Sequence, residues 1–336
     1  MEISGLSLLP HDLLQCITEG AVPAAPPESW AFLDTETTGL AGGSGTCAFL
    51  VGIGRITRDG FRVRQFFMRD FAEEASQLHA VNEALAGAQV LVTYNGKTFD
   101  VPLLETRYRM SRGRSPFDSI PHLDLLYGAR RLWRLRFESC RLTELESRIL
   151  GHEREGDIPG ELIPQVYFDY IRFGRSARLA PVFSHNAFDI LSLACLTGIV
   201  PWAFREDGPA QHLKHAAELV AFARYLRQSG RLEEARALFR KAVKGNLRDD
   251  LAWRTLWDLA GLEKKLDSPR EALALLEDLA AVPNPHRVEA LIELAKHHEH
   301  KAKDHAKALA LTVSALALED SPALRRRRAR LEERLL

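Results

Sequence analysis

Cysteine, net charge and long apolar runs are all scarce in this chain of 336 residues. The cysteines number four, stand far apart and form no C-x-x-C pair, which supports neither a zinc-finger spacing nor a secreted disulfide framework. We expect no membrane-spanning helix, because no stretch approaches the ~20 apolar residues that such a helix needs. The composition therefore predicts a soluble, cytoplasmic protein with reduced thiols and no membrane partner. The cysteines are Cys16, Cys47, Cys140 and Cys195.

Charge is balanced over the whole chain but not along it. Lysine plus arginine total 45, as do aspartate plus glutamate, so the net charge points to neither a nucleic-acid nor a membrane partner. Residues 101–150 nevertheless hold 10 basic against 6 acidic side chains, and residues 301–336 hold 9 against 5. A basic surface can therefore exist on a neutral protein.

The hydrophobic pattern divides the chain into a lead and two domains. Residues 1–27 combine a short amphipathic segment with a proline-rich linker. Residues 28–204 carry strand and helix patterns, whereas residues 210–336 carry helical patterns only. This organisation predicts an α/β domain followed by an all-α domain.

Strand patterns come first in the α/β domain. AFLDTET, TCAFLVGIGRI and FRVRQFFMRD indicate a meander of three strands, with Asp59-Gly60 as the hairpin turn between the last two. Helices and buried strands then alternate, and Thr143 with Glu146 forms a candidate capping box. This order predicts a mixed sheet flanked by helices. The expected helices cover about 72–87, 101–111, 143–150, 163–174 and 188–199, and the expected short strands cover 88–94 and 122–126.

Three helical pairs in the C-terminal domain can be overlaid. Their aligned alanines, Ala235, Ala272 and Ala308, are 37 and 36 residues apart, against roughly 34 in a tetratricopeptide repeat. Small residues recur where two helices approach closely, as such repeats require. The spacing favours tetratricopeptide-like repeats, with an ordinary helical bundle as the alternative.

Two acidic residues end the first strand of the α/β domain. Because alternate residues of a strand project to one face, Asp34 and Glu36 point the same way. Two like charges on one face repel unless a cation compensates them. A D-x-E pair is also common at solvated strand ends, so the pattern alone leaves both interpretations open.

Two further motifs carry acids: the second lies where a buried strand ends and a helix begins, and the third leads into an apolar helix. Tyr94-Asn95-Gly96-Lys97-Thr98-Phe99-Asp100 ends on an aspartate that could instead cap the helix. His185-Asn186-Ala187-Phe188-Asp189 places His185 and Asp189 four residues apart, on one helical face. Taken singly, each motif also has a local structural explanation.

Together, the three motifs resemble those of the DEDD exonuclease superfamily: D-x-E, N-x-x-x-F-D and [Y/H]-x-x-x-D, in that order. The chain is most similar to the YprB-like branch of bacterial ribonuclease H-like proteins, through FLDTETTGLAGGSGTCAFLVGIG, VTYNGKTFDVPLLETRY, HLDLLYGARRLW and the DIPGELIP segment at 157–164. This resemblance covers about residues 28–204. It implies a ribonuclease H-like fold and, in some relatives, helical repeats after it.

The resemblance also implies a site and a function. The metal-binding carboxylates would be Asp34, Glu36, Asp100 and Asp189. Oxygen ligands of this kind suit two Mg²⁺ or Mn²⁺ ions, which could support a 3′–5′ exonuclease acting on single-stranded DNA or RNA. His185 is the candidate general base, although three residues rather than the usual four separate it from Asp189.

Several other residues are candidates for substrate contact. Asn95, Lys97 and Thr37 are predicted to touch the sugar or phosphate, and Asp124 either supports the site or caps the following helix. Arginines and aromatics alternate after residue 129, where Trp133 belongs either to a base-stacking groove or to the core. The arginines in question are Arg107, Arg109, Arg112, Arg114, Arg130, Arg131, Arg134, Arg136 and the run Arg325–Arg328.

A function of a different class stays open at this point. The ribonuclease H-like domain could be catalytically idle and grip nucleic acid or a partner, with the helical repeats as a protein-interaction scaffold. A lost carboxylate would favour this reading, and none of the four is lost.

Overall fold

The structure is a computed structural model that describes residues 25–39, 45–202 and 215–336. The predicted amphipathic lead lies outside the described residues. The chain divides into two compact units, residues 1–212 and residues 213–336. Each unit is described here by itself.

The first unit is built on a five-stranded sheet in the order β3-β2-β1-β4-β5. β1 pairs antiparallel with β2 and parallel with β4, so the sheet is mixed, as predicted. The hairpin between β2 and β3 turns through Arg58 and Asp59, one residue before the predicted Asp59-Gly60 turn, because Gly60 already pairs with Thr57 as the first residue of β3. Gly60 has a φ of 131°, which favours glycine. The strands are β1 Trp30–Thr37, β2 Ala48–Thr57, β3 Gly60–Phe67, β4 Val90–Thr93 and β5 His122–Asp124.

Helices flank this sheet close to their predicted places. The predicted capping box of Thr143 and Glu146 is wrong, because the helix begins after Arg141 without a side-chain cap and Glu146 accepts hydrogen bonds from Arg154 instead. The last helix begins at Leu179, before the expected start at 188. The helices are α1 Glu74–Leu85, α2 Asp100–Met110, α3 Leu125–Trp133, α4 Leu142–Leu145 with a π-helical continuation Glu146–Leu150, α5 Ile163–Phe173 and α6 Leu179–Trp202.

Helix α6 contradicts the expectation that no stretch of the chain is long and apolar enough to span a membrane. By length and composition, the segment Ser176–Ile199 is apolar enough to cross a membrane. In the structure it packs in the first unit instead, where Val182 joins a core cluster with Phe49 and Tyr167 and where Asn186 is fully buried. The apolar character of α6 is therefore that of a core helix, which carries polar residues to the site described below.

The described part of the second unit is helical throughout, in successive pairs. Ala235, Ala272 and Ala308 each occupy the fourth position of the second helix of a pair, and each is at most 2% exposed. The predicted fold class, a mixed α/β sheet followed by helical pairs, is confirmed. The helices are α7 Ala216–Gln228, α8 Leu232–Val243, α9 Asp249–Lys265, α10 Pro269–Ala281, α11 Arg287–His297, α12 His305–Leu318 and α13 Pro322–Glu333.

Candidate active site

Three distant stretches of the chain bring four carboxylates together. Asp34 and Glu36 lie on one face of β1, Asp100 is the first residue of α2, and Asp189 lies on α6. Asp34 and Glu36 each lie within the electric field of both Asp100 and Asp189. The parallel pairing of β1 with β4 accounts for part of this approach, because the carboxyl ends of both strands then meet at one edge of the sheet.

The environment of β1 disfavours negative charge. Burial raises the pKa of Asp34 well above its usual range, and the charges of Asp189, Glu36 and Asp100 raise it further. Burial likewise raises the pKa of Glu36, with the charges of Asp189 and Asp100 adding to the effect. A set of buried like charges is stable as anions only when a cation joins them.

Asp100 joins this set from the start of α2. Its alternative interpretation as the helix cap is wrong, because Phe99 occupies the cap position and the Asp100 carboxylate instead accepts a hydrogen bond from the Thr35 hydroxyl. Burial raises the pKa of Asp100 to about 6, although the hydrogen bond from Thr35 opposes the shift. Thr35, between the two acids of β1, therefore orients the third acid.

Asn186 fixes Asp34, and a glycine makes room for it. The Asn186 side-chain amide donates to the Asp34 carboxylate at 2.8 Å, and its oxygen accepts from Gln65 at 3.0 Å. Gly52 faces Asp34 across β1 and β2, and a Cβ at this position would lie 2.2 Å from Asn186 Oδ1. Only glycine therefore allows α6 to approach closely enough for this contact.

His185 reaches the carboxylates despite its three-residue spacing from Asp189. Its Nε2 lies 3.5 Å from Asp189 Oδ2, and one ligand atom each of Glu36, His185 and Asp189 lies within 4.8 Å of the other two. His185 Nδ1 is 2.9 Å from both carboxylate oxygens of Asp157. The helical spacing of four therefore aims Nε2 at the site while Asp157 holds the opposite ring nitrogen.

Arg154 is an element of the site that the motifs did not indicate. Its guanidinium bonds to Glu146 and Asp189, and lies 3.2 Å from Asp157. Burial would lower the pKa of Arg154, but the hydrogen bond that Arg154 donates to Glu146 and the charge of Asp189 outweigh burial and raise it. Arg154 therefore stays protonated and neutralises Asp189, the only one of the four carboxylates that it contacts among the described residues.

The remaining carboxylates fit a cation better than an arginine. Within residues 25–39, 45–202 and 215–336, no lysine or arginine forms an ion pair with Asp34, Glu36 or Asp100. Their hard oxygen donors match the ligand preference of Mg²⁺ and Mn²⁺. The donor set thus fits divalent metal ions, with Arg154 already compensating the fourth carboxylate.

Asp124 organises the loop between β4 and α2. Its carboxylate accepts the backbone N–H of Asn95 at 2.7 Å, of Lys97 at 3.0 Å and of Leu126 at 3.1 Å. The bond from Leu126 caps α3, so the helix-cap interpretation of Asp124 is confirmed. The other two bonds hold Asn95 at a φ of 65°, in the left-handed region that asparagine tolerates.

A cleft of about 670 Å³, which we call the carboxylate cleft, opens beside Glu36 and Asp100. Thr37, Thr98 and Phe99 also line it, and the Phe99 side chain is 52% exposed. The carboxylate cleft is large enough to accept a nucleotide, and Phe99 offers an apolar ring for a base. The other two predicted substrate contacts lie elsewhere: Asn95 lines a second cleft, and Lys97 Nζ lies 5.7 Å from the centre of the Tyr127 ring.

Several predicted phosphate contacts are engaged elsewhere. Arg107 binds Glu74 at 2.6 Å, and Trp133 is 3% exposed, so the core interpretation of Trp133 is confirmed and the stacking interpretation is wrong. Within the four-arginine run, Arg327 binds Glu299 and Arg328 binds Glu332, each at 2.7 Å. Arg325 pairs with Asp320. Most of this run is therefore a set of intramolecular ion pairs.

Comparison with known proteins agrees with this geometry. A family model of the RNase_H superfamily matches residues 31–200, the segment that contains the sheet and all four carboxylates. The chain is also 35% identical over 288 residues to the uncharacterized protein YprB of Bacillus subtilis (strain 168). That alignment covers 85% of this chain and 68% of the relative.

Proposed function

Because this chain is a YprB-like member of the ribonuclease H superfamily, whose domain is typical of nuclease-type enzymes, we propose that it is a metal-dependent 3′–5′ exonuclease. Its proposed substrate is single-stranded DNA or RNA. The observation that carries the proposal is the mutual electrostatic effect of four carboxylates drawn from three motifs. Acids that destabilise one another around an open cleft are typical of a catalytic site rather than of a structural one.

Asp34, Glu36, Asp100 and Asp189 would hold the metal ions. Two bound divalent ions would supply an activated water and stabilise the leaving oxygen of a phosphodiester. The protein's own contribution is to orient the ligands: Asn186 fixes Asp34, and Thr35 fixes Asp100. Such fixed partners keep ligand atoms in place before the substrate arrives.

His185 is the proposed general base. When Nδ1 carries its proton toward Asp157, Nε2 is left as a free acceptor on the side of Glu36 and Asp189. Nε2 can then accept the proton of an attacking water. Asp157, from the DIPGELIP segment, acts as a positioning residue for this tautomer.

Substrate contacts would come from both sides of the β4–α2 loop. Phe99 and Thr37 line the carboxylate cleft and are placed to meet a base and a sugar-phosphate. Asn95 and Lys97 belong to the same loop, which Asp124 holds in place. We retain all four as proposed substrate contacts, with Phe99 added by its exposure.

Nucleotide release from end-labelled oligonucleotides tests the proposal. Wild type is expected to shorten linear single strands from the 3′ end with Mn²⁺ or Mg²⁺, to leave circles intact, and to lose activity in EDTA. The double variant Asp34→Asn/Glu36→Gln should be inactive. A matched control, Asp118→Asn/Glu83→Gln, removes the same charge from two exposed positions and should keep full activity.

Two results would contradict the proposal. One is the absence of product from DNA and RNA with either ion, combined with the absence of Mn²⁺ binding by calorimetry. The other is equal activity of wild type and Asp34→Asn/Glu36→Gln. Degradation of circular substrates would retain the nuclease but replace the exonuclease assignment with internal cleavage.

One observation favours a second function, a ribonuclease H-like domain that binds nucleic acid without cleaving it. Arg154 neutralises Asp189 in the place where a ligand of the catalytic ion would have to be free. Under this proposal the helical pairs of residues 215–336 act as a protein-interaction scaffold. Calorimetry separates the two: an idle domain binds no Mn²⁺ as wild type but gains binding in Arg154→Gln, whereas the enzyme binds Mn²⁺ in its wild-type form.

We also propose the domain limits 28–204 and 210–336, and a cytoplasmic location. Among the described residues, Cys47, Cys140 and Cys195 are free thiols, which supports a reducing compartment. Separate expression of residues 28–204 and 210–336 tests the limits, since each segment should unfold in a single cooperative transition.

A further inference from the structure

A second cleft of about 490 Å³ lies in the same unit as the carboxylate cleft, and we call it the arginine cleft. Its lining includes Arg130 on α3, Arg134 at the end of α3 and Arg141 before α4, together with Tyr94 and Asn95. The Tyr94 hydroxyl donates to the backbone carbonyl of Cys140, which connects the β4 end to the far wall. The three basic side chains thus share one concave surface.

The three arginines of this cleft have no carboxylate partner among the described residues, in contrast to the following three. Arg107, Arg154 and Arg327 are tied to buried or half-buried acids. In the described parts of the chain, no ion pair involves Arg130, Arg134 or Arg141, and Glu138, the one acid of the lining, is not within ion-pair distance of them. Their charge is therefore available to a ligand.

The spacing of these arginines carries an electrostatic cost that an anion would relieve. Arg130 and Arg134 stand four residues apart, on one face of α3 and its end, where like charges destabilise a helix. Their field is felt inside the cleft: burial raises the pKa of Cys140, and both arginines oppose that shift. Three unpaired guanidinium groups facing one cavity form a site for phosphate, which accepts their planar donors well.

A single loop borders both the arginine cleft and the carboxylate cleft. Tyr94 and Asn95 line the arginine cleft, while Thr98 and Phe99, a few residues further along the same β4–α2 loop, line the carboxylate cleft. Asp124 holds this loop by its bonds to Asn95 and Lys97. A chain of regularly spaced phosphates that crosses the loop would therefore have negative charge in one cleft and its end in the other.

We propose that the arginine cleft of Arg130, Arg134 and Arg141 binds the phosphate backbone of a single-stranded nucleic acid whose 3′ end occupies the carboxylate cleft. This inference rests on the proposed function and adds to it the path of the strand. Because the contacts are to phosphate, the affinity is independent of base sequence and falls with salt.

Fluorescence anisotropy with a labelled single-stranded 15-mer, measured in EDTA so that no cleavage occurs, tests the path. The triple variant Arg130→Gln/Arg134→Gln/Arg141→Gln should bind at least about tenfold more weakly than wild type. Its slope of log affinity against log salt should be shallower by about 2, since each lost contact to a single strand removes roughly 0.7. The corresponding triple lysine variant retains the charge and should bind nearly as wild type does.

A charge-matched control uses Arg58→Gln/Arg69→Gln/Arg178→Gln, three exposed arginines of the same unit that lie outside the cleft. Its affinity and salt slope should equal those of wild type. If wild type binds the 15-mer and the cleft variant binds it with the same affinity and slope, the strand path is wrong while the nuclease proposal stands. If both triple glutamine variants weaken binding equally, general charge explains it and the cleft is not a site. If wild type binds no single strand, the strand path is also wrong, and nucleotide release with Mn²⁺ decides the nuclease proposal separately.

Discussion

The two units of this protein both bury carboxylates, but the units differ in whether a basic side chain neutralises the buried charge. In the helical unit, Glu263 and Glu299 are 0% exposed. Arg240 binds Glu263 at 2.6 Å, and Arg327 binds Glu299 at 2.7 Å. In the sheet unit, Glu36 and Asp100 are 8% and 9% exposed, and neither has an arginine or lysine partner among the described residues.

The difference shows that burial of an acid does not identify its role, whereas its partner does. A buried carboxylate enclosed by guanidinium groups joins helices and has no charge left for a ligand. A buried carboxylate that faces other carboxylates is held in an unfavourable state by the rest of the fold, and a cation resolves that conflict. In the sheet-unit site, Arg154 follows the helical pattern through its contacts with Glu146, Asp157 and Asp189.

The largest expected effect comes from removing the charge of Glu36, a buried acid without a basic partner. Glu36→Gln should reduce nuclease activity at least about a hundredfold if Glu36 is the proposed metal ligand, because the loss of such a ligand removes several kcal/mol of transition-state stabilisation. In EDTA the same variant should raise the thermal midpoint of the sheet unit, since a repelled buried charge is gone. Activity assays measure the expected loss of activity, and calorimetry measures the expected rise in the thermal midpoint. A lower midpoint together with full activity would show that Glu36 is a structural acid.

The next effect has the opposite sign and lies in the helical unit. Glu299→Gln should lower the free energy of unfolding by about 3 kcal/mol, because Arg327 and Arg330 would lose the carboxylate that compensates their charge. Urea unfolding measures the change. The matched control is Glu332→Gln, which breaks an exposed pair with Arg328 and should cost less than about 1 kcal/mol. Equal effects of the two variants would contradict the structural role of Glu299.

The pH dependence of stability sharpens the contrast further. The pKa of Asp100 rises from an unfolded value of about 3.9 to about 6 in the folded protein. The folded state therefore binds more protons in this range, so the free energy of unfolding should fall as pH rises from about 4 through 6, by about 3 kcal/mol from Asp100 alone. Urea unfolding in EDTA at pH 4 to 7 should show this loss in wild type and a smaller one in Asp100→Asn. A constant difference between the two proteins across that range would contradict it.

The smallest effect compares one glycine from each unit. Gly52→Ala should destabilise the sheet unit by about 1–3 kcal/mol, because the new Cβ would overlap Asn186 and Ile190 and push α6 away from Asp34. Gly261→Ala, in the middle of α9 with nothing within 4 Å of the new Cβ, should stabilise the helical unit by about 1 kcal/mol. Chemical denaturation measures both. The same sign for the two variants would contradict the close approach of α6.

Local patterns predicted most of the fold, because strand alternation and helical periodicity depend on near neighbours. The meander, the position of its second hairpin to within one residue and the aligned alanines are such features. The predicted start of α6 was wrong because its first turns, from Leu179, pack against α5, a long-range contact that local sequence patterns do not show. The capping box at Thr143 failed for a related reason: Glu146 has a stronger partner in Arg154, eight residues away.

The candidate site divides in the same way. Motif spacing pointed to Asp34, Glu36, Asp100, His185 and Asp189, and these predictions stand as proposals. Asn186 lies between His185 and Asp189 in the third motif, yet its hydrogen bond to Asp34 joins residues that are 152 positions apart in the sequence. The alternation of Gly52 and Gly54 in β2 was the one available signal for a close approach of another element.

The order and type of the residues along the chain determined which strands and helices form and which acids could meet at the end of β1, since both depend on short-range spacing. Only the tertiary structure decided which charges are compensated. In the tertiary structure, Glu299 forms ion pairs with arginines, and Asp189 forms one with Arg154. Asp34, Glu36 and Asp100 instead lie near one another. The physical reason is that electrostatic energy depends on distance and burial in three dimensions, and neither quantity is encoded in the spacing of residues along a chain.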